Sequence, residues 1–582
     1  MTNSVQLFRP ALLAALCACI LTLVAGLLAL FLVHPPAVEV MFHGPVSLSD
    51  DIALHEILRN LRGERCSDLT WPIVCRMHWM ISIAAQLLDT PTGANRLATI
   101  GLGVAVAGGV AFFFAYADTP PVEDLTVKRG RRVETGAYAA RSLRGAIRRL
   151  GKPREDDLWL LPEVQLNRAS TARNILLTGT QGSGKTGVLR AYAEQQLGNA
   201  SGRMFVFDAK GDMLAGLPIE AMILVAPQDA RSWAIDVGRE LSNPIVAMEF
   251  AAKCVPVSAQ DPMWAHGTRS VLADIVMALR IRSSGAWGWD DLADAGLSSA
   301  VEIRQMLIET GGKSASLLNF GDDPEENRTV MSILITMWVT VLSVVEPLAR
   351  AWSEVDASRR FTLRDWLAVN SKLPRIMLFQ KSTDFPELST TVGSFLAERI
   401  AAAALAPARR NADAGHLTML LDEFPEVPIE RLPRLLALGR EMRVTTIASV
   451  QDLGQITALF GPEQGSVVES RFGIRLVLRL EPGETARRIC DVWIGRRQVR
   501  KGRDATADEL AKGITKPMET VWEDTMTPDF LSDGLGIFDT ADDKMIRVLV
   551  TGFPTLAVVD VPLTTWADRR EAHVPAAWMR EA

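Results

Sequence analysis

One eight-residue segment constrains the fold of this chain more than any other. Residues 179–186 read Gly-Thr-Gln-Gly-Ser-Gly-Lys-Thr and match the pattern GxxxxGK[ST] in full. An apolar strand pattern at 174–178 precedes the segment, and a helix pattern follows it at 187–197. A strand, a glycine-rich loop and a helix in this order are typical of a phosphate-binding loop. The sequence therefore predicts an α/β nucleotide-binding fold.

The residue types of this loop suit a nucleoside triphosphate. Glycines let the backbone curl around phosphates without a Cβ clash, and the N–H groups of the loop and of the helix N-terminus face the anion. Lys185 is expected to reach the β- and γ-phosphates of ATP, and the Thr186 hydroxyl is expected to ligate Mg²⁺. The predicted nucleotide-binding residues of the loop are Gly179, Thr180, Gln181, Gly182, Ser183, Gly184, Lys185 and Thr186.

An acidic pair follows a second apolar strand pattern, at 417–421. Asp422 is expected to hold Mg²⁺, usually through water, and Glu423 to polarise the attacking water as general base. An ordinary acidic turn after a strand would look the same in isolation. Together with the phosphate-binding loop, the pair predicts an ATP hydrolase.

Strand and helix patterns alternate through the rest of this region, which indicates a mainly parallel, doubly wound sheet. Further strands are predicted at 203–207, 375–379, 444–450 and 474–480, and helices at 386–405, 429–440 and 483–493. Ligands bind at the carboxyl ends of such strands. We therefore expect Lys185, Asp208, Asp422 and Gln451 at one edge of the sheet, with Asp208 contributing to the nucleotide site.

Two further residues are candidates for catalytic roles. Gln451 is predicted to sense the γ-phosphate or to position the water; the alternative is a turn residue. Arg440 is predicted to reach the nucleotide of a neighbouring subunit and to offset charge in the transition state. The alternative for Arg440 is a surface arginine in a last helical turn.

Residues 249–366 have the character of a helical insertion between the two acidic segments. Helices are predicted at 268–282, 299–310, 327–345 and 362–369. The segment holds six tryptophans, which either stack on single-stranded bases or belong to the core: Trp264, Trp287, Trp289, Trp338, Trp352 and Trp366.

Two uncharged apolar runs, 11–33 and 97–117, are each long enough to span a bilayer. Nine basic residues lie between 128 and 152, whereas the segment 34–96 has five basic and seven acidic residues. The positive-inside rule then predicts a multi-pass membrane protein with both termini in the cytoplasm. Cys66 and Cys75 in the outer segment either form a disulfide or remain two thiols. The net charge of −6 neither marks nor excludes a nucleic-acid-binding protein.

Several of these motifs together resemble the type IV secretion coupling proteins, the TraD/TrwB group of conjugation ATPases. The resemblance covers nearly the whole chain, including the two predicted spans, although Ala209 stands where the family usually has proline. The motifs besides the phosphate-binding loop are Val-Phe-Asp-Ala-Lys-Gly-Asp at 206–212, Leu-Leu-Asp-Glu-Phe-Pro at 420–425, Gly-Arg-Glu-Met-Arg at 439–443, Ile-Ala-Ser-Val-Gln at 447–451, Glu-Thr-Ala-Arg at 484–487 and Ile-Gly at 494–495.

The resemblance implies a RecA-like homohexamer with nucleotide at the subunit interfaces. It implies the bacterial inner membrane as the location, recruitment of a relaxase bound to single-stranded DNA, and pumping of that substrate into a type IV secretion channel during conjugation. The alternative is an ATP-gated receptor that recruits protein effectors without translocating DNA. The expected organisation is an N-terminus and first span (1–33), a periplasmic loop (34–96), a second span (97–117), a RecA-like domain (118–248 and 367–582) and an all-α domain (249–366).

Overall fold

The computed structural model describes residues 37–40, 44–47, 105–106 and 126–579, except 155–156, 199–201, 258–261, 320–327, 408–414, 503–505, 507, 509, 511, 513–517 and 542. The chain divides into two compact units, Met1–Glu123 and Asp124–Ala582. In the first, β1 (Ala37–Val40) pairs antiparallel with β2 (Gly44–Ser47). The predicted spans lie outside the described residues apart from 105–106, which are helical, and so do Cys66 and Cys75.

The second unit contains the remaining strands. They are β3 (Thr126–Arg129), β4 (Val133–Thr135), β5 (Trp159–Leu161), β6 (Val164–Gln165), β7 (Ile175–Thr178), β8 (Arg203–Asp208), β9 (Ile223–Val225), β10 (Ala234–Ile235), β11 (Arg360–Phe361), β12 (Ile376–Gln380), β13 (Leu417–Leu421), β14 (Val444–Val450), β15 (Ile474–Val477), β16 (Arg496–Gly502), β17 (Met518–Asp524), β18 (Gly536–Asp539), β19 (Lys544–Thr551) and β20 (Leu556–Pro562).

The second unit also contains the helices, two of which run on into π-helical turns at Val341–Val345 and Ile489–Ile494. They are α1 (Gly136–Arg149), α2 (Arg168–Thr171), α3 (Lys185–Leu197), α4 (Asp212–Gly216), α5 (Val237–Glu240), α6 (Pro244–Cys254), α7 (Pro262–Arg282), α8 (Trp289–Leu297), α9 (Ala300–Thr310), α10 (Arg328–Thr340), α11 (Glu346–Trp352), α12 (Leu363–Leu367), α13 (Pro386–Ala404), α14 (Leu432–Leu438), α15 (Leu453–Arg471), α16 (Glu484–Arg488) and α17 (Pro528–Asp533).

A sheet of eleven strands forms the centre of the second unit, in the order β4-β20-β19-β15-β7-β14-β13-β8-β12-β9, with β18 on β19. The seven strands from β15 to β9 are parallel to one another. Their sequences are mainly apolar, as expected for strands that have helices on both faces of the sheet. Alternate residues divide between the two faces: Phe205 and Phe207 enter one hydrophobic cluster, Met204 and Val206 the other.

The predicted parallel sheet is confirmed, and the six predicted strands are found to within three residues at each end. The antiparallel extension formed by β18, β19 and β20 was not predicted. It pairs with β15 through β19, so the strand that carries the phosphate-binding loop, β7, lies in the interior of the sheet rather than near its edge. An interior position fixes the start of the loop firmly.

The segment predicted to be helical is helical, although its elements differ in detail from the prediction. Helices α7 and α9 match predicted helices, α8 was missed, and α10 continues through a π-turn into α11. The predicted domain boundaries near 249 and 366 both fall inside helices, α6 and α12. Side chains of these helices share one hydrophobic cluster with a face of the sheet. The division into two domains therefore stays a prediction.

Four of the six tryptophans in this segment are core residues. Trp289 and Trp352 pack with ring centroids 5.5 Å apart, and their indole N–H groups donate to Ile235 O and Ser232 Oγ. Trp366 is fully buried and donates to Pro374 O, and Trp287 is buried as well. For these four the core interpretation holds, since a base could not reach them without unfolding the segment.

One stretch within the described residues, Arg328–Trp352, is long and apolar enough to cross a membrane. This stretch is α10, the π-turn and α11. Its side chains Leu334, Met337 and Val341 are buried in the hydrophobic cluster that covers the sheet. Packing inside the protein therefore accounts for one side of the stretch, whereas Ile335, Val339 and Leu342 are exposed.

Candidate active site

The structure brings four of the predicted site residues to one edge of the sheet. Strands β7, β14, β13 and β8 are consecutive neighbours and run parallel, so their carboxyl ends meet at that edge. Lys185 follows β7 through the loop, Gln451 follows β14, Asp422 follows β13, and Asp208 ends β8. Parallel strands of a doubly wound sheet present their ligand sites at this edge.

The phosphate-binding loop is anchored at both sides by backbone hydrogen bonds. Gly179 N donates to Val450 O at 3.3 Å, and Thr180 N donates to Arg479 O at 2.9 Å. Gly182 and Gly184 have φ angles of 73° and 101°, a region that other residues adopt only with strain. The loop therefore needs glycine at these two positions to close over an anion.

Internal contacts hold the loop in a compact shape. The Ser183 hydroxyl donates to Thr180 O at 2.7 Å, and a Cβ atom at Gly179 would lie 2.6 Å from that hydroxyl. Gln181 and Gly182 are exposed at the tip, and Thr186 is half-buried in the first turn of α3. The backbone N–H groups of the tip are thus open to a ligand from solvent.

The Lys185 ammonium folds back onto its own loop. It donates to Gly179 O and, at 3.1 Å, to Thr180 O. Burial lowers the pKa of Lys185 from its ordinary value to about 8, and the nearby Glu423 carboxylate opposes that shift. An ammonium held only by neutral carbonyls is ready to exchange them for a phosphate, which is the stronger, charge-assisted partner.

The acidic pair lies buried beside the loop. Asp422 N donates to Phe207 O at 3.0 Å, which continues the ladder between β13 and β8. Glu423 adopts a left-handed backbone conformation, with φ 52° and ψ 58°. Left-handed backbone in a residue other than glycine is costly, and such residues concentrate at functional sites. Here the turn brings two consecutive carboxylates to the same edge of the sheet.

Each carboxylate of the pair has one oxygen that no described residue satisfies. Asp422 Oδ1 accepts from Ser449 and Glu423 Oε1 accepts from Gln451 N, but Asp422 Oδ2 and Glu423 Oε2 are buried without a hydrogen-bond partner. Burial raises the pKa of both carboxyl groups. Unsatisfied carboxylate oxygens beside a phosphate-binding loop suit a hydrated Mg²⁺ ion and a reacting water.

Gln451 contacts the predicted general base directly. Its backbone N–H donates to Glu423 Oε1 at 3.1 Å, and this hydrogen bond lowers the pKa of Glu423 against the larger effect of burial, which raises it. Gln451 is therefore placed where it can orient both the base and a water bound to it. The predicted roles in sensing phosphate or positioning water stay predictions.

The Asp208 carboxylate is engaged by backbone groups. Its two oxygens accept from Gly211 N and Met213 N, each at 2.9 Å, and thereby hold the turn that begins α4. Burial raises the pKa of Asp208 to about 7, against these two hydrogen bonds. The residue shapes the wall of the site next to Asp422, and direct contact with a nucleotide stays a prediction.

Comparison with known proteins decides the family. A family model described as the type IV secretion-system coupling protein DNA-binding domain matches residues 159–525, which is more than half of the chain. The chain belongs to this family. Coupling protein TraD of Escherichia coli (strain K12) is 24% identical over 226 residues, which cover 38% of this chain and 29% of TraD. This coupling protein thus spans less than a third of the length of its curated relative.

Solved structures of the conjugative coupling protein TrwB are similar to this coupling protein. The unbound form has a TM-score of 0.59 at 19% identity, over 77% of this chain and 96% of TrwB. The complex of TrwB with the ATP analogue ADPNP has a TM-score of 0.60 at 19% identity, over 79% and 99% of the two chains. At these identities the similarity is one of fold. It confirms the predicted mixed α/β, RecA-like fold.

Arg440 of this coupling protein lies away from its own phosphate-binding loop. It is exposed after the end of α14, at the amino end of β14, which is the opposite edge of the sheet. There it lines a cavity of about 950 Å³ together with Lys152, Arg168 and Arg443. Arg440 is therefore separated by the sheet from the phosphate-binding loop of the same chain. The predicted role in a neighbouring subunit stays a prediction.

Sequence reasoning missed Ser449, which contacts both members of the acidic pair in this coupling protein. Its hydroxyl donates to Asp422 Oδ1 and accepts from Glu423 N, each at 3.0 Å. The residue lies in β14, where all seven residues are buried. The sequence signal for this role was a polar serine two residues before Gln451 in an otherwise buried strand. The contact of Ser449 with Asp422 and Glu423 becomes evident only from the pairing of β13 with β14.

Proposed function

We propose that this protein is a Mg²⁺-dependent ATP hydrolase that serves as the coupling protein of a type IV secretion system. The observation that carries the proposal is the acidic pair Asp422 and Glu423 next to the phosphate-binding loop. Two of its carboxylate oxygens have no hydrogen-bond partner in the part of the chain that the structure describes. TrwB, whose fold this chain shares, has been solved with ADP and Mg²⁺ and with ADPNP. The fold and the local chemistry point to the same ligand.

Different residues of the site bind the phosphates, hold Mg²⁺ and accept the proton. The loop N–H groups and the Lys185 ammonium bind the β- and γ-phosphates, and Thr186 and Asp422 hold Mg²⁺. When bound, Mg²⁺ neutralises the charge that develops on the phosphate oxygens. Glu423 accepts a proton from water, and its raised pKa improves the match to a proton acceptor at neutral pH. Gln451 keeps the Glu423 carboxylate in position.

The assembly we propose is a homohexamer with ATP between subunits. In this assembly Arg440, which is exposed on the edge of the sheet opposite the phosphate-binding loop, reaches the nucleotide of a neighbouring subunit. An arginine supplied from another subunit stabilises the charge of the transition state. The ring would take up single-stranded DNA with its relaxase and deliver both to the components of the secretion channel.

The protein is proposed to be anchored in the bacterial inner membrane by the runs 11–33 and 97–117. The basic residues that follow the second run keep the ATPase unit in the cytoplasm, because Lys and Arg near a span are retained on that side. Both termini are then cytoplasmic. Membrane anchoring places the ring at the entrance of the secretion channel.

The test is ATP turnover by the full-length protein in lipid nanodiscs, with and without single-stranded DNA. We expect turnover to rise with DNA and to vanish in Lys185→Ala, which removes the phosphate ligand, and in Glu423→Gln, which removes the base. ATP binding without a DNA response, under conditions where the protein forms rings, would overturn the DNA motor and favour the receptor for protein effectors.

A further inference from the structure

Ser449 is a hydroxyl residue in β14, one of the fully buried strands that lead to the site. Strand β14 has no exposed residue, and Ser449 has no accessible surface. Its hydroxyl lies between the two acids: it donates to Asp422 Oδ1 at 3.0 Å and accepts from Glu423 N at 3.0 Å. One side chain of the neighbouring strand thus contacts both members of the acidic pair.

We propose that Ser449 is a positioning residue that sets the orientation of both acids for Mg²⁺ and water. A hydroxyl has one proton to give, and here it goes to Asp422 Oδ1. Asp422 Oδ2 then remains as the oxygen without a partner among the described residues, available to the hydrated ion. Without the hydroxyl, the carboxylate could rotate, and either oxygen could face the site.

The second contact of Ser449 acts on the backbone. By accepting from Glu423 N, the hydroxyl satisfies a buried N–H group in a turn that has a left-handed residue. Such a conformation persists only where the surroundings fix it. Two residues farther along β14, Gln451 N donates to the Glu423 carboxylate. Strand β14 therefore fixes Glu423 twice, through Ser449 at its backbone and through Gln451 at its side chain.

Ser449 is distinguished from other buried hydroxyl residues nearby. Thr446 lies in the same strand, and its hydroxyl has no hydrogen-bond partner in the described part of the chain. Ser394 in α13 is 3% exposed, and its hydroxyl also lacks a partner among the residues that the structure describes. A role in packing alone would apply equally to Ser394. Of these three hydroxyls, that of Ser449 alone contacts the acidic pair.

The inference rests on the proposed function, and the experiment separates the two. Full-length protein in nanodiscs is prepared as wild type, Ser449→Ala, Ser449→Thr and Ser394→Ala. Two readouts are taken: the affinity for a fluorescent ATP analogue as Mg²⁺ is titrated from an EDTA-treated start, and kcat with KM for ATP at saturating Mg²⁺. Thermal unfolding of each variant is recorded alongside.

We expect Ser449→Ala to bind the analogue as wild type does in EDTA. The Mg²⁺ concentration for half-maximal gain in affinity rises about tenfold or more, as for the loss of a hydrogen bond to a charged group. The value of kcat falls by about the same factor while KM for ATP stays within about twofold. Ser449→Thr, which keeps the hydroxyl, restores the Mg²⁺ midpoint and kcat to near their wild-type values. Ser394→Ala changes neither the Mg²⁺ midpoint nor kcat.

Two results would overturn the inference. One is a Ser449→Ala protein that matches Ser394→Ala in both readouts. The other is loss of nucleotide binding already in EDTA, with a lower unfolding temperature and no rescue by Ser449→Thr, because this shows a role in folding only. A wild-type protein that binds Mg²⁺ and ATP but does not hydrolyse ATP overturns the proposed function, while the Mg²⁺ titration still decides the role of Ser449.

Discussion

Arg431 and Glu398 join the segment after the acidic pair to helix α13, with Arg431 Nη1 2.5 Å from Glu398 Oε1. Arg431 also pairs with Glu249 of α6 at 2.6 Å, and Arg399 links Glu249 to Glu240, each at 3.2 Å. The glutamates are largely buried, and Glu398 is 4% exposed. The network thus connects the chain that leaves the active site to three helices on one face of the sheet.

Arg431→Ala should destabilise the protein clearly, because it leaves Glu398 buried without its cation. Breaking a fully buried pair costs about 3–5 kcal/mol, and an exposed pair contributes about 0–1 kcal/mol. Since the Arg431 side chain is 36% exposed, an intermediate loss of about 2 kcal/mol is expected. The measurement is the midpoint of urea unfolding, followed by tryptophan fluorescence, in full-length protein.

Arg350→Ala is the matched control for this change. Arg350 pairs with Glu346 at 2.5 Å one turn away in α11, with side chains 59% and 29% exposed. Because such surface pairs contribute little, the expected loss is below about 1 kcal/mol. Equal shifts of the midpoint in the two variants would show that the Arg431 network does not stabilise the fold.

The affinity for ATP without Mg²⁺ should fall as the pH rises through 8. Burial lowers the pKa of Lys185 to about 8, so the free site loses its ammonium charge above that pH, whereas bound phosphates favour the protonated form. Binding then takes up a proton, and the affinity should drop about fivefold between pH 8 and pH 9. The measurement is a fluorescence titration with an ATP analogue, without Mg²⁺ and at constant ionic strength, at each pH.

Lys185→Arg isolates the contribution of this one group. Arginine stays charged across the whole pH range. The affinity of the Lys185→Arg protein for ATP, even if weaker than that of the wild type, should therefore not fall near pH 8. If the wild type and Lys185→Arg lose affinity in parallel between pH 7.5 and pH 9.5, another group or the nucleotide itself governs the dependence.

Local patterns in the sequence were sufficient to predict the parts of the site that are local in the chain. The loop 179–186 and the strand before Asp422 each combine a backbone shape with the residues that use it, so their positions follow from spacing alone. Ser449 and Arg431 act through partners on other strands and helices. Their roles depend on how β13 pairs with β14 and on where α13 packs, which no local pattern encodes.

The same reasoning explains the elements that the sequence did not predict. Strands β18, β19 and β20 pair antiparallel outside the alternating strand and helix pattern, and their position beside β15 is set by long-range pairing. Helix α8 is only nine residues long, so its apolar pattern extends over only about two and a half turns and does not by itself establish a helix. Tertiary contacts, rather than local preference, decide such short elements.

Glu423→Gln should separate hydrolysis from binding. The amide keeps the size of the side chain but cannot accept a proton from water, so kcat should fall at least about 100-fold while ATP affinity stays within about twofold. Glu426→Gln is the control, because Glu426 pairs with Lys381 at 2.5 Å and is 39% exposed. Hydrolysis that survives in Glu423→Gln at near the wild-type rate would exclude Glu423 as the base.

Mixing two inactive variants tests whether Arg440 acts on the neighbouring subunit. Lys185→Ala abolishes the phosphate-binding side of an interface, and Arg440→Ala abolishes the opposite side, so neither pure protein should hydrolyse ATP. In a mixed ring, an interface that pairs the intact Lys185 of one subunit with the intact Arg440 of its neighbour is complete. An equal mixture should then recover up to about a quarter of wild-type turnover, since each side is intact with a probability of about one half.

Arg471→Ala is the control, because Arg471 is an exposed arginine at the end of α15, and this variant should remain active alone. Recovery in the mixture cannot come from either variant acting within one subunit, because each carries its own defect. A mixture that stays inactive although the two variants demonstrably share rings would place Arg440 outside the transition state and leave it a surface arginine at the amino end of β14.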